Sequence, residues 1–157
     1  MNEFTAKKLG EILAFTEVGF ETLSKGKNVF ESTFGAEKVA HIKKMLLTQK
    51  DSIHTLADRA GTLKVVLDKF EKTAEKLVKM RDLYVENGWE SSLELLEWFG
   101  FFEGGIVTHS SILQGAALEM SHSELKGIAD QCLAFHRELL EGITTLLHLI
   151  GRQKASS

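Results

Sequence analysis

Five side chains in this sequence pair a capacity for metal ligation or proton transfer with a place on an apolar helix face: Glu17, Asp51, His54, Glu103 and His136. A carboxylate taken from water without a partner is costly, so each such position asks for an explanation. Glu103 is the clearest. Leu96, Phe99, Glu103, Ile106, Ser110 and Leu113 follow one another in alternating steps of three and four, the spacing of one helix face, with the carboxylate at the centre. Glu17 stands four residues after Leu13 and three before Phe20. Ile128, Cys132, His136, Leu139 and Ile143 form another stripe, which turns the imidazole inward. Asp51 and His54 are three apart and share a face, and Leu47, four before Asp51, sets that face beside the core. Carboxylate oxygens and imidazole nitrogens suit iron or manganese better than thiolate-rich sites do. Four helices that each send such groups inward can hold a pair of these ions.

These residues need long helices to position them, and the pattern supplies five helical segments. The first covers residues 5–23, with Leu9, Ile12, Leu13 and Phe20 on its stripe. Residues 28–35 carry turn signals. The second helix covers 36–60, with Val39, Ile42, Leu46, Ile53 and Leu56 on one side and Gly61 as its stop. The third runs over 62–85 and ends at the Asn87-Gly88 turn. The fourth spans 89–120. Ser121 is the expected N-cap of the fifth, with Glu124 as its capping-box partner, and that helix reaches Ile150 before Gly151. Such helices in a chain of 157 residues bury their stripes only by lying side by side. The expected fold is therefore all-α, a single domain built as an antiparallel up-down four-helix bundle.

Composition narrows the function. The chain holds no proline, as uninterrupted helices require. A net charge of -3 offers no basic face of the size that phosphate neutralisation needs, so nucleic acid is not an expected partner. No uncharged apolar run approaches the roughly 20 residues that span a bilayer, and the N-terminus lacks the pattern of a secretory signal. A cytoplasmic location is the expectation. The single cysteine, Cys132, sits among apolar residues with no activating cation near it in sequence. No Ser/His/Asp arrangement can be drawn, and Gly104-Gly105 follows no strand, so it is no phosphate loop. His109 shares a face with Phe102, Ile112 and Ala116, beside the core stripe, within reach of a central site as an added ligand.

Three stretches resemble the ferritin-like superfamily of ferritins, bacterioferritins and rubrerythrins. Asp51-Ser-Ile-His54 is similar to the acid-x-x-His element of that family's second helix. The run from Glu103 to His109 resembles the start of its third core helix, and Leu133-Ala-Phe-His136 its second Glu-x-x-His element. Glu17 to Asp51 and Glu103 to His136 are 34 and 33 residues apart, which resembles two matched hairpins, and the resemblance implies a helical crossover between the two hairpins, made by the third helix in the 49 residues from His54 to Glu103. The resemblance covers most of the chain. It implies metal ligation by Glu17, Asp51, His54, Glu103 and His136, with iron or manganese as cofactor and oxidation of Fe(II) or reduction of oxygen or peroxide as the activity. Asp51 stands where the family has Glu, and Leu133 stands where a second carboxylate belongs. One ion, an altered pair and no ion all stay open.

The alternative is a metal-free bundle acting as a protein-interaction or scaffold module, with the same polar residues closed into a hydrogen-bonded network. Trp98, Phe101 and Phe102, with Leu95 and Leu96, make the fourth helix apolar nearly all round. A helix of that kind needs cover on more than one side, by deep burial inside the monomer or by a subunit interface; aromatic residues are enriched at interfaces, and a homo-oligomer interface is the expectation.

Overall fold

A computed structural model describes residues 1–157. It is all-α, with no strand. The helices are α1 (Glu3–Lys25), α2 (Lys27–Phe34), α3 (Ala36–Arg59), α4 (Leu63–Val85), α5 (Ser92–Glu119) and α6 (Ser123–Ala155), and a single 3-10 turn, Gly88–Glu90, precedes α5. No helix is long and apolar enough to cross a membrane.

Local chemistry sets the ends. Asn2 caps α1, its side-chain oxygen accepting from the Thr5 amide at 2.9 Å. Gly61, at φ +67°, takes the left-handed turn that ends α3. The cap of α6 differs from the expected one. Ser121 is itself left-handed at φ 51°, and the His122 ring nitrogen accepts from Leu125 instead, at 3.3 Å. The Ser121–Glu124 capping box is therefore not formed. Gly151 does not stop α6, which continues to Ala155 with that glycine exposed.

Residues 28–35, expected to turn, instead lie in α2 as far as Phe34, with Gly35 as its C-cap. Their Asn, Ser and Thr are turn residues in isolation, but Phe30 is fully buried and lies 5.2 Å from the Phe99 ring, centroid to centroid. Burying one such ring is worth about 1.5–3 kcal/mol, enough to override weak local preferences in an eight-residue helix. Thr33 adapts by turning its hydroxyl back onto the Val29 carbonyl at 2.8 Å.

Side-chain pairs give the helix directions. Glu17 pairs with Lys50, and the Lys43 ammonium lies over the Phe20 ring, so α1 and α3 are antiparallel. Glu11 beside His109 and Phe15 beside Phe102 make α1 and α5 antiparallel. Glu103 with His136 and Gln114 with Asp130 do the same for α5 and α6, as do Gln49 with His136 and Arg59 with Glu124 for α3 and α6. The fifth long helix, α4, runs parallel to α1, with Lys69 at Glu11 and Arg81 at Thr22.

This arrangement makes α1 the central helix. Besides its stripe of Leu9, Ile12, Leu13 and Thr16, it buries Glu11, Phe15, Val18 and Thr22 on a second face. It also approaches α4 closely at Gly10, where a Cβ would stand 2.4 Å from the Val66 carbonyl oxygen and 2.9 Å from the Lys69 Cβ. The first neighbour is backbone and cannot swing aside. Gly10→Ala is therefore expected to lower stability by about 1–3 kcal/mol in urea unfolding, the usual cost of overpacking. Gly115→Ala, on the exposed side of α5 with open space at its Cβ, should be neutral or gain up to about 1 kcal/mol from helix propensity. Equal effects at the two positions would show that the α1–α4 approach is not close.

Candidate functional site

At mid-bundle the structure joins two of the five predicted ligands. Glu103 on α5 is 1% exposed and His136 on α6 is fully buried. Their Oε2 and Nδ1 atoms are 2.5 Å apart. The other ring nitrogen, Nε2, lies 3.0 Å from Oε1 of Gln49, a buried residue of α3. Thr16 of α1 completes the layer. Its hydroxyl donates to the Ile12 carbonyl at 2.9 Å and stands 3.5 Å from the same Gln49 oxygen.

The hydrogen-bond roles follow from the acceptors. Nε2 faces a carbonyl oxygen and must carry a proton. Between Nδ1 and the Glu103 carboxyl one further proton is shared, giving either imidazolium with carboxylate or neutral imidazole with carboxylic acid. The network is net neutral in both forms, which is what a dry interior favours. Gln49 Nε2 is left buried without a partner, the one unsatisfied group of the layer.

The other three residues are elsewhere. Glu17 is about one-third exposed and forms a surface ion pair with Lys50. The α1 positions that face the bundle centre are Ile12, Thr16 and Gly19, so Glu17 falls on the flank. Asp51 is exposed and lines a polar groove between α3 and α6 with Thr48, Ser52 and Gln131. His54 is half-buried and makes no hydrogen bond to Glu103 or His136, while Leu47, which was to hold this face near the core, is 47% exposed. The inward stripe of α3 is Ile42, Leu46, Gln49, Ile53 and Leu56, and it bears no ionisable group. No group of three or more His, Cys, Asp or Glu side chains is placed to hold a metal ion.

Gln49 and Thr16 were not singled out from the sequence, although the signal existed. Gln49 follows Leu46 by three and precedes Ile53 by four, the same spacing that marks Glu103. A neutral amide attracts less notice than a carboxylate, yet its burial carries the same demand for partners.

Two further buried charges lie outside this layer. Glu11 is held between Lys8 at 2.6 Å and Lys69 at 2.9 Å. Burial works to raise its carboxyl, but the hydrogen bonds from the two lysines, aided by His109, hold it below the usual carboxylate range. His109 reaches Glu11 rather than the central layer. Its Nδ1 is 3.0 Å from the Glu11 Oε2 but out of line for a hydrogen bond. Burial outweighs the attraction of Glu11 and lowers its pKa. Arg81 is 2% exposed. Its guanidinium donates to Asp82 at 2.9 Å and Thr22 at 3.4 Å, and it shares the Trp89 ring with Lys25. Cys132 is buried, and desolvation pushes its thiol up to about 12, so it is inert as a nucleophile.

Of the three aromatics expected at an oligomer interface, Trp98 and Phe102 are 4% and 3% exposed and belong to the monomer core. The cover comes from Phe15 of α1 and from the end of α4, where Tyr84 lies 6.0 Å from Trp98, centroid to centroid. Phe101 is 70% exposed.

Comparison with protein-family models, curated proteins and solved structures finds no match.

The energetic test of the layer is a double-mutant cycle. Glu103→Leu or His136→Leu alone strands a buried polar partner and should cost about 3–5 kcal/mol in urea unfolding. The double variant removes both and should cost much less than the sum. Additive losses would show that the two residues do not interact.

Proposed function

We propose that this chain is a ferritin-like helical bundle in which a closed hydrogen-bonded core occupies the place of a metal centre, and that it acts as a protein-interaction module rather than as an iron or manganese oxidoreductase. The observation that carries the reading is that both ring nitrogens of His136 are taken up within the protein, one by Glu103 Oε2 and the other by Gln49 Oε1.

The antiparallel pairings α1–α3 and α5–α6, with α4 returning along α1 between them, support the ferritin-like connectivity that the sequence resemblance implies. The donor set argues against the metal pair of that family. The layer offers one carboxylate and one imidazole. Thr16 and Gln49 stand on α1 and α3, and Leu133, one turn before His136, is buried without a charge. Two dications would meet at most one negative charge there, far less than a four- or six-carboxylate-and-histidine centre supplies. The residues present therefore do not fit the pair, and no redox step is drawn through it.

The test is direct. Metal-free protein is titrated with Fe(II), Mn(II) and Zn(II) by calorimetry, followed by elemental analysis after gel filtration. No stoichiometric uptake and no change of melting temperature with metal or chelator are expected. One ion per chain held at micromolar affinity, and lost in Glu103→Gln, would overturn the reading in favour of a mononuclear site.

A further inference from the structure

Of the large apolar side chains left exposed, Met80, Leu83, Tyr84 and Phe101 come from the C-terminal end of α4 and the adjoining part of α5. Leu83 and Phe101 are 77% and 70% exposed. Tyr84 and Phe101 meet edge to face at 5.7 Å, so the exposed rings form one feature rather than scattered residues. Single exposed apolar residues need no explanation, but a cluster does.

Beside Phe101 the α5–α6 seam opens into a groove of about 600 Å3, floored by Gly100 and Gly104 and walled by Leu140 and Leu147. The patch thus carries a protruding ring and an apolar hollow next to each other. A surface with both is complementary to itself about a two-fold axis, because each copy supplies the knob that the other's hollow takes.

Charge fixes the orientation. Glu97 lies at the Leu147 end of the groove, where its only side-chain bond is from the Tyr84 hydroxyl at 3.0 Å. Arg137, exposed, stands one turn before Leu140 on α6 and therefore toward the opposite end, since α5 and α6 are antiparallel with Glu103 at His136 and Gly100 at Leu147. Neither Glu97 nor Arg137 forms an ion pair within its own chain.

We propose that this groove docks a second copy of the chain in antiparallel register, Phe101 of each copy entering the Gly100–Gly104 hollow of the other and Glu97 of each facing the partner's Arg137. The proposal rests on the interaction-module reading and names its partner. It also replaces the wider interface expected from sequence, since Trp98 and Phe102 are spent on the monomer core.

The experiment is sedimentation of the full chain with no added ligand, up to roughly 100 micromolar, above the micromolar Kd that suits a small interface. Wild type should dimerise reversibly. Phe101→Ser removes an exposed ring, should melt as wild type does, and should weaken dimerisation at least about tenfold. Glu97→Arg and Arg137→Glu should each weaken it, and the double reversal should restore it. A wild-type chain that stays monomeric, or a dimer indifferent to Phe101→Ser and to the charge reversals, overturns the proposal. Either result leaves the metal titration untouched, so failure of the dimer is distinct from failure of the metal-free core.

Discussion

The arrangement turns on one contact, the 2.5 Å approach of Glu103 and His136 inside a dry bundle. A shared proton there is tolerable only while both partners are present and water is absent, because either group alone would be an unsatisfied polar atom in an apolar layer. The pair ties α5 to α6, and the second ring nitrogen carries the tie on to α3 through Gln49. Three helices are thereby set in one register at one height. A slide of any of them by one turn, about 5.4 Å, would break the bonds and leave charge in the core. Apolar packing alone discriminates less sharply between such registers, since Leu, Ile and Phe fill neighbouring hollows almost interchangeably.

The same logic recurs at the edge of the bundle with charges that stay ionised. Glu11 and Arg81 both lie where α1 and α4 run side by side. Each is buried and each has several partners. The two fix a parallel helix pair at its two ends, while Gly10 lets the backbones approach between α1 and the start of α4. With α1 buried on two faces, α4 is a structural wall of the bundle as well as the link from α3 to α5.

Much of the fold was legible in the sequence, because the period of the apolar residues is a strong signal and proline is absent. The helix boundaries at Gly61 and near Val85 agree with the structure. The core placement of Glu103 and His136 was also legible, each from an unbroken stripe. What was not legible depends on neighbours. Asp51 and His54 share a face with Leu47, but only the packed bundle shows that this face points outward and that Gln49 points in. Glu17 follows the spacing of the stripe, but Thr16 beside it takes the place at the bundle centre and Glu17 is left on the flank, paired with Lys50 of α3. Helix α2 exists because Phe30 finds a pocket against Phe99, a contact 69 residues away that no local pattern reports. Trp98 and Phe102 looked like surface because the cover from α4 could not be foreseen.

The measurement that tests the central pair most directly is long-range nitrogen–proton NMR of the His136 ring across the pH range of the folded protein. The account predicts a Nε2–H proton that exchanges with water only through unfolding, and a low-field signal for the proton shared between Nδ1 and Glu103. A Nε2–H proton in rapid exchange with water, and no low-field signal at Nδ1, would contradict a buried Glu103–His136 pair and with it the organisation of the core.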